Sequence, residues 1–183
     1  MDRDRFWGLV EAARAMVDDT VADPDGVADA LVKALSGMGA EEIVGFGVQF
    51  DLLQAEAYRW DLWGAAYLIN GGASDDSFDY FRGWLVAQGQ ETWDAALADP
   101  DSLADVIDED LDEDFEGFDG EALLAVGSEA YAAGAGSAKD FWGAVDAATP
   151  EAPDVPGGQT FDFDDEGEMH SRFPRLAALY LEE

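Results

Sequence analysis

The chain has 183 residues, of which 42 are acidic and 9 basic, for a net charge of −33. Its length lies in the one-domain range, long enough to bury roughly two-thirds of the unfolded surface, and 48% hydrophobic content with 6 Trp, 5 Tyr and 11 Phe excludes a disordered chain. The acidity repels phosphates and anionic headgroups, which excludes direct contact with nucleic acid or membrane, and the absence of cysteine excludes disulfides, thiol nucleophiles and cysteine metal sites.

The opening MDRDRFWGLVEAARAM is amphipathic, with Phe6, Leu9, Val10, Ala13 and Val17 on one helical face. It lacks the apolar core of a signal peptide, and no apolar run approaches the ~20 residues of a membrane helix, so cytoplasmic residence is expected. Asp23-Pro24 predicts a helix start, with Val27, Ala30, Leu31, Ala34 and Leu35 on its stripe and Gly37 and Gly39 beyond its end. Ile43, Phe46, Phe50, Leu53 and Ala57 follow at helical steps. The rhythm resumes after a break near Arg59 in Trp60, Trp63 and Tyr67, until Gly71-Gly72 stops it. Ser74 predicts the next N-cap, and Phe78, Phe81 and Leu85 face inward behind it. A short helix is expected around Glu91–Leu97.

Between Asp101 and Glu121 the composition turns sharply acidic, which predicts a solvated loop or a short irregular segment with an exposed face. Helices restart at Leu123, Leu124, Gly127 and Tyr131, and again at Phe141, Trp142 and Val145. PEAPDVPGGQ then reads as a linker or wrapped arm, and Leu176–Leu181 as a last helix docked on the body. The expected fold is all-α, a single irregular bundle of about seven to eight helices with period 3.6 rather than 2. The body covers residues 1–148, including the acidic segment 101–121. Residues 149–183 form a Pro/Gly linker and an acidic arm within the same domain.

The segment YRWDLWGAAYLINGGASDDSFDYFRGWLVAQG, from Tyr58 to Gly89, resembles the bacterial family called domain of unknown function 4240. DRDRFWGLVEAAR at the start and FPRLAALY in the tail are similar to it too. The resemblance implies a mostly helical protein and assigns no activity, cofactor or site residue.

Three constellations carry the functional expectations. The first is the turn between two helices, where Trp60, Asp61, Tyr67, Asn70, Asp75, Asp76, Asp79 and Arg82 are candidates to bind a cationic or polar ligand. Asp79 and Arg82, one turn apart, are spaced to pair. First-turn aspartates also have a purely structural use, because the helix dipole favours negative charge there. In the second, Asp110, Asp112, Asp114 and Glu121 match the first, third, fifth and last places of an EF-hand calcium loop. Phe115 stands where that loop needs glycine, so a weakly bound divalent cation is the only cofactor expected. The third is charge itself: between Arg82 and Lys139 lie fifteen acids and no base. A lone histidine, His170, excludes every site that needs two.

These features point to a non-enzymatic interaction protein whose acidic face, Asp108, Asp110, Asp112, Asp114 and Glu116, binds a basic protein. A DNA-binding protein or a toxin fits, with this chain as nucleic-acid mimic, inhibitor or immunity protein. Salt adaptation or a GC-rich genome accounts for the same composition without a partner. The alternative is a hydrolase-like enzyme using the Asp75/Asp76/Asp79 turn with carboxylates or a divalent metal.

Overall fold

The computed structural model describes residues 1–107 and 117–181. Among them are ten α-helices, one 3₁₀ helix and no strand. No helix among the described residues is long and apolar enough to cross a membrane.

Local chemistry sets the helix ends. In α1 (Arg3–Arg14) the Asp2 carboxylate accepts from the Arg5 amide at 2.9 Å, and in α2 (Pro24–Leu35) Asp23 accepts from the Gly26 amide at 2.8 Å. Both satisfy amides that the first turn leaves without a helical partner. The break near Arg59 separates α3 (Ala40–Glu56) from α4 (Trp60–Ile69). Gly71 and Gly72, at φ 64° and 136°, then turn the chain in a conformation that side chains resist. Ser74 and Ser77 exchange hydrogen bonds at the head of α5 (Asp75–Ala87), and α6 (Gln90–Ala98) follows.

α7 (Glu121–Gly134) is the hub. It packs on α2, α3, α5 and α8 (Ala138–Ala148) and buries Leu123, Val126, Gly127, Ser128 and Ala130. Small side chains on α7 let four helices approach it, while Trp7, Trp84, Trp93, Phe6, Phe46, Phe78, Phe81 and Phe141 fill the core around them. Full burial of one such apolar side chain contributes about 1.5–3 kcal/mol.

The acidic segment is not simply solvated. Pro100–Asp105 forms a 3₁₀ helix with Leu103 buried, and Ile107 and Phe118 enter the core from either side of the undescribed stretch. The scattered apolar residues pin both ends. Asp101 is only 5% exposed, and its carboxylate accepts from the Arg175 amide (3.1 Å) and the Leu176 amide (2.9 Å). It thereby caps α10 (Pro174–Tyr180), whose own preceding residue, Phe173, offers no side-chain oxygen. Arg175 reinforces the contact by pairing with Asp105.

The C-terminal piece is two short helices, α9 (Glu166–Arg172) and α10, because Pro174 follows Phe173 and restarts the chain. Gly157 exchanges backbone hydrogen bonds with Tyr58 and Trp60 at 2.8 and 2.9 Å. Phe161 and Phe163 pack edge-on at 4.9 Å, Phe163 meets Trp60 and Tyr67, and Arg172 stacks 4.0 Å above Phe161.

Replacing Asp101 by Ala leaves two α10 amides uncapped in a buried place. The expected loss is about 2–3 kcal/mol in urea unfolding. Asp101→Asn, which keeps one acceptor oxygen, should lose less. Equal stability of wild type and Asp101→Ala would mean that α10 docks through its apolar contacts alone.

Candidate functional site

A cleft opens where α3, α5, α7 and α8 converge. Its floor is apolar, formed by Phe46 and Phe50 of α3, Leu123 and Leu124 of α7, and Phe141 of α8. The Phe141 ring fits because its neighbours are glycines: a Cβ at Gly47 would stand 2.6 Å from the ring and one at Gly127 only 2.4 Å. The cavity above this floor measures 260 Å³. It abuts an outer cavity of 610 Å³ bounded by Tyr58, Asp75, Asp146, Glu151 and the Pro150–Pro153 stretch. Asp51, Gln54, Asp79 and Arg82 line both.

Arg82 is 6% exposed. Its guanidinium donates to the carbonyls of Phe78 and Gln54 and pairs with Asp79. It lies 4.8 Å from the Phe78 ring centre and 5.1 Å from that of Tyr58, a cation–π arrangement that steadies a buried charge. Burial lowers its pKa and the Asp79 carboxylate opposes that shift. Asp51 is half-buried without a cation of its own. Desolvation, and then the charge of Asp146, push its pKa up to about 6. The amide of Gln54 is unusual: Oε1 and Nε2 are both buried and neither has a hydrogen-bond partner.

The candidates at the predicted turn separate into three places. Asp75, Asp79 and Arg82 reach the cleft. Trp60 and Tyr67 hold the C-terminal arm instead: the Trp60 ring meets Phe163 edge-on at 6.1 Å, and the Tyr67 hydroxyl donates to Asp164 at 2.7 Å. Asp61 pairs with Arg59, and Asn70 brackets Phe118, accepting from its amide at 3.1 Å. Asp76 is exposed in the first turn of α5. Asp108, Asp110, Asp112, Asp114 and Glu116 lie outside the described residues. Glu121, the last place of the calcium pattern, sits in the first turn of α7, where its charge is the largest influence raising the Tyr80 pKa. Among the described residues no group of three His, Asp or Glu side chains is placed to hold a metal ion.

Asp51, Gln54 and Asp146 had not been singled out by sequence. Asp51 carried a signal, as the only charge between Glu42 and Glu56, directly beside the core residue Phe50. Trp142 is 41% exposed at the mouth of the cavity.

The family model described as "Protein of unknown function (DUF4240)" matches residues 1–133. The chain belongs to this family. The DUF4240 region supplies Asp51, Gln54, Tyr58, Asp75, Asp79 and Arg82, hence one wall and most of the floor of the cleft. α8, with Phe141, Trp142 and Asp146, and the C-terminal arm lie beyond the matched region. Comparison with curated proteins and with solved structures finds no match.

Proposed function

We propose that the protein is a non-enzymatic interaction protein of the cytoplasm whose anionic surface captures a basic protein partner. One observation carries this reading. Each of the seven arginines, Arg3, Arg5, Arg14, Arg59, Arg82, Arg172 and Arg175, already pairs with a carboxylate of the chain itself. Only eight carboxylates are engaged in these pairs, so most acids among the described residues have no ion-pair partner. Some have other uses, Asp2, Asp23 and Asp165 as helix caps and Asp101 as the cap of α10. Capping satisfies amides and leaves the charge in place. An approaching basic domain therefore meets an attractive field, which raises association rates more than final affinity.

A partner whose basic groove normally takes DNA, or a basic toxin, matches that field, and the chain would act on it as a polyanion mimic, inhibitor or immunity protein. The densest charge, Asp108 to Glu116, is the proposed contact. The test starts with the basic protein captured from the native host. The association rate of that purified partner is then measured against wild type and against the combined Asp110→Asn, Asp112→Asn, Asp114→Asn, Glu116→Gln variant. The expected result is an association rate slowed on the order of tenfold at low salt, with the difference vanishing at high salt. Unchanged association, or capture of no basic protein, overturns the reading.

One observation favours the enzymatic alternative. Asp51, with its pKa near 6 in a cleft, has the protonation behaviour of a general acid or base. The Asp75/Asp76/Asp79 turn is a weaker basis for chemistry, because Asp79 is held by Arg82 and Asp76 faces solvent.

A further inference from the structure

Two unlike cavities abut in this cleft and share Asp51, Gln54, Asp79 and Arg82. On its inner side the lining is aromatic and aliphatic, from Phe46, Phe50, Leu123 and Phe141. On its outer side the lining is carboxylate: Asp75, Asp146 and Glu151, with Asp51 and Asp79 shared. Small-molecule sites are usually apolar clefts of about 300–1,000 Å³ with a few converging polar groups; the outer volume of 610 Å³ lies in that range and the inner one of 260 Å³ just below it. The one guanidinium lining the cleft, Arg82, pairs with Asp79, which leaves Asp51, Asp75, Asp146 and Glu151 there in excess of positive charge.

We propose that this cleft binds an alkylammonium group, with the apolar stem in the inner cavity and the ammonium against Asp51 and Asp146. The occupant is a free amine or a lysine side chain of a protein partner, two sources of one chemistry. Only the second rests on the reading above. Asp51 is the titrating group. The charged residues that share the cleft with it are Asp75, Asp79 and Arg82 from α5, Asp146 from α8 and Glu151 beyond it, while α7 contributes only apolar residues. A bound cation favours the ionised carboxylate, so binding should weaken as pH falls through about 6.

The test is calorimetric titration of the full chain with hexylamine, with 1-hexanol and with a short peptide carrying one lysine among neutral residues. Hexylamine should bind at one site, at least about tenfold more tightly than hexanol, because a charge-assisted contact is added to the same apolar burial. Asp51→Asn should weaken hexylamine about tenfold and leave hexanol unchanged. Asp51→Asn should not lower the melting temperature, since it removes a half-buried charge that has no cation beside it. The combined Asp110→Asn, Asp112→Asn, Asp114→Asn, Glu116→Gln variant should bind hexylamine as wild type does, which separates this site from the surface charge proposed for the partner. Binding of the lysine peptide but not hexylamine, lost in Asp51→Asn, supports the cleft with a protein side chain as its occupant. The proposal is overturned if neither amine binds better than hexanol. It is also overturned if Asp51→Asn binds as wild type does, or if the acidic-segment variant loses as much affinity as Asp51→Asn.

Discussion

Gly120→Ala is expected to lower the melting temperature by about 6–12 °C. A Cβ at position 120 would stand 2.2 Å from the Trp84 amide nitrogen, 2.6 Å from the Gly83 carbonyl carbon and 2.7 Å from Trp84 Cα. All three are backbone atoms of α5, so no side chain can rotate away. The contact is reciprocal, since a Cβ on Gly83 would meet the Gly120 carbonyl oxygen at 2.5 Å. It is also bonded: the Gly120 amide donates to the Tyr80 carbonyl at 3.0 Å. Overfilling a packed site costs typically 1–3 kcal/mol, and a rigid backbone neighbour places this site at the upper end, about 3 kcal/mol. In a domain of this size each kcal/mol shifts the melting point by about 2–4 °C. A nearby loss should accompany it, because Phe118 packs edge-on against Trp84 at 4.9 Å and anchors one end of the acidic segment. Thermal unfolding followed by circular dichroism decides the matter. A drop of less than about 2 °C would mean that α5 and the start of α7 can separate at little cost, below the usual range for overpacking.

Salt is expected to stabilise the protein, by on the order of 10 °C between 0.01 and 1 M sodium chloride, as the Debye length falls from about 30 to about 3 Å. Screening acts on two opposed quantities. It weakens the attractive ion pairs of Arg3, Arg5, Arg59 and Arg175, which are partly or largely exposed and therefore worth only about 0–1 kcal/mol each. It also weakens the mutual repulsion within a chain of net charge −33, which involves many more groups. Repulsion wins on numbers. Divalent cations should act at lower concentration by associating with residues 101–121. A melting point that stays flat across this range would show that caps and helix dipoles already offset the acids locally.

The helical class was legible in the chain because its determinants are local. Apolar residues at steps of three and four, Asp23 before Pro24, Ser74 before two aspartates, and Gly71-Gly72 each act on neighbours within one turn. The Asp79–Arg82 pair was legible for the same reason: three positions along a helix place two side chains side by side. Composition likewise determined the net charge, which no fold can alter.

Tertiary structure alone decided where that charge works. Asp51 and Asp146 come from helices far apart in the chain, and only the seating of Phe141 between Gly47 and Gly127 brings α8 close enough for one carboxylate to raise the pKa of the other. Asp101 looked like one more acid in an acidic run until α10 arrived to be capped by it. Gly120 carries no distinguishing pattern in sequence, since its constraint is the α5 backbone lying against it. Burial and hydrogen-bonding partners are properties of space rather than of spacing.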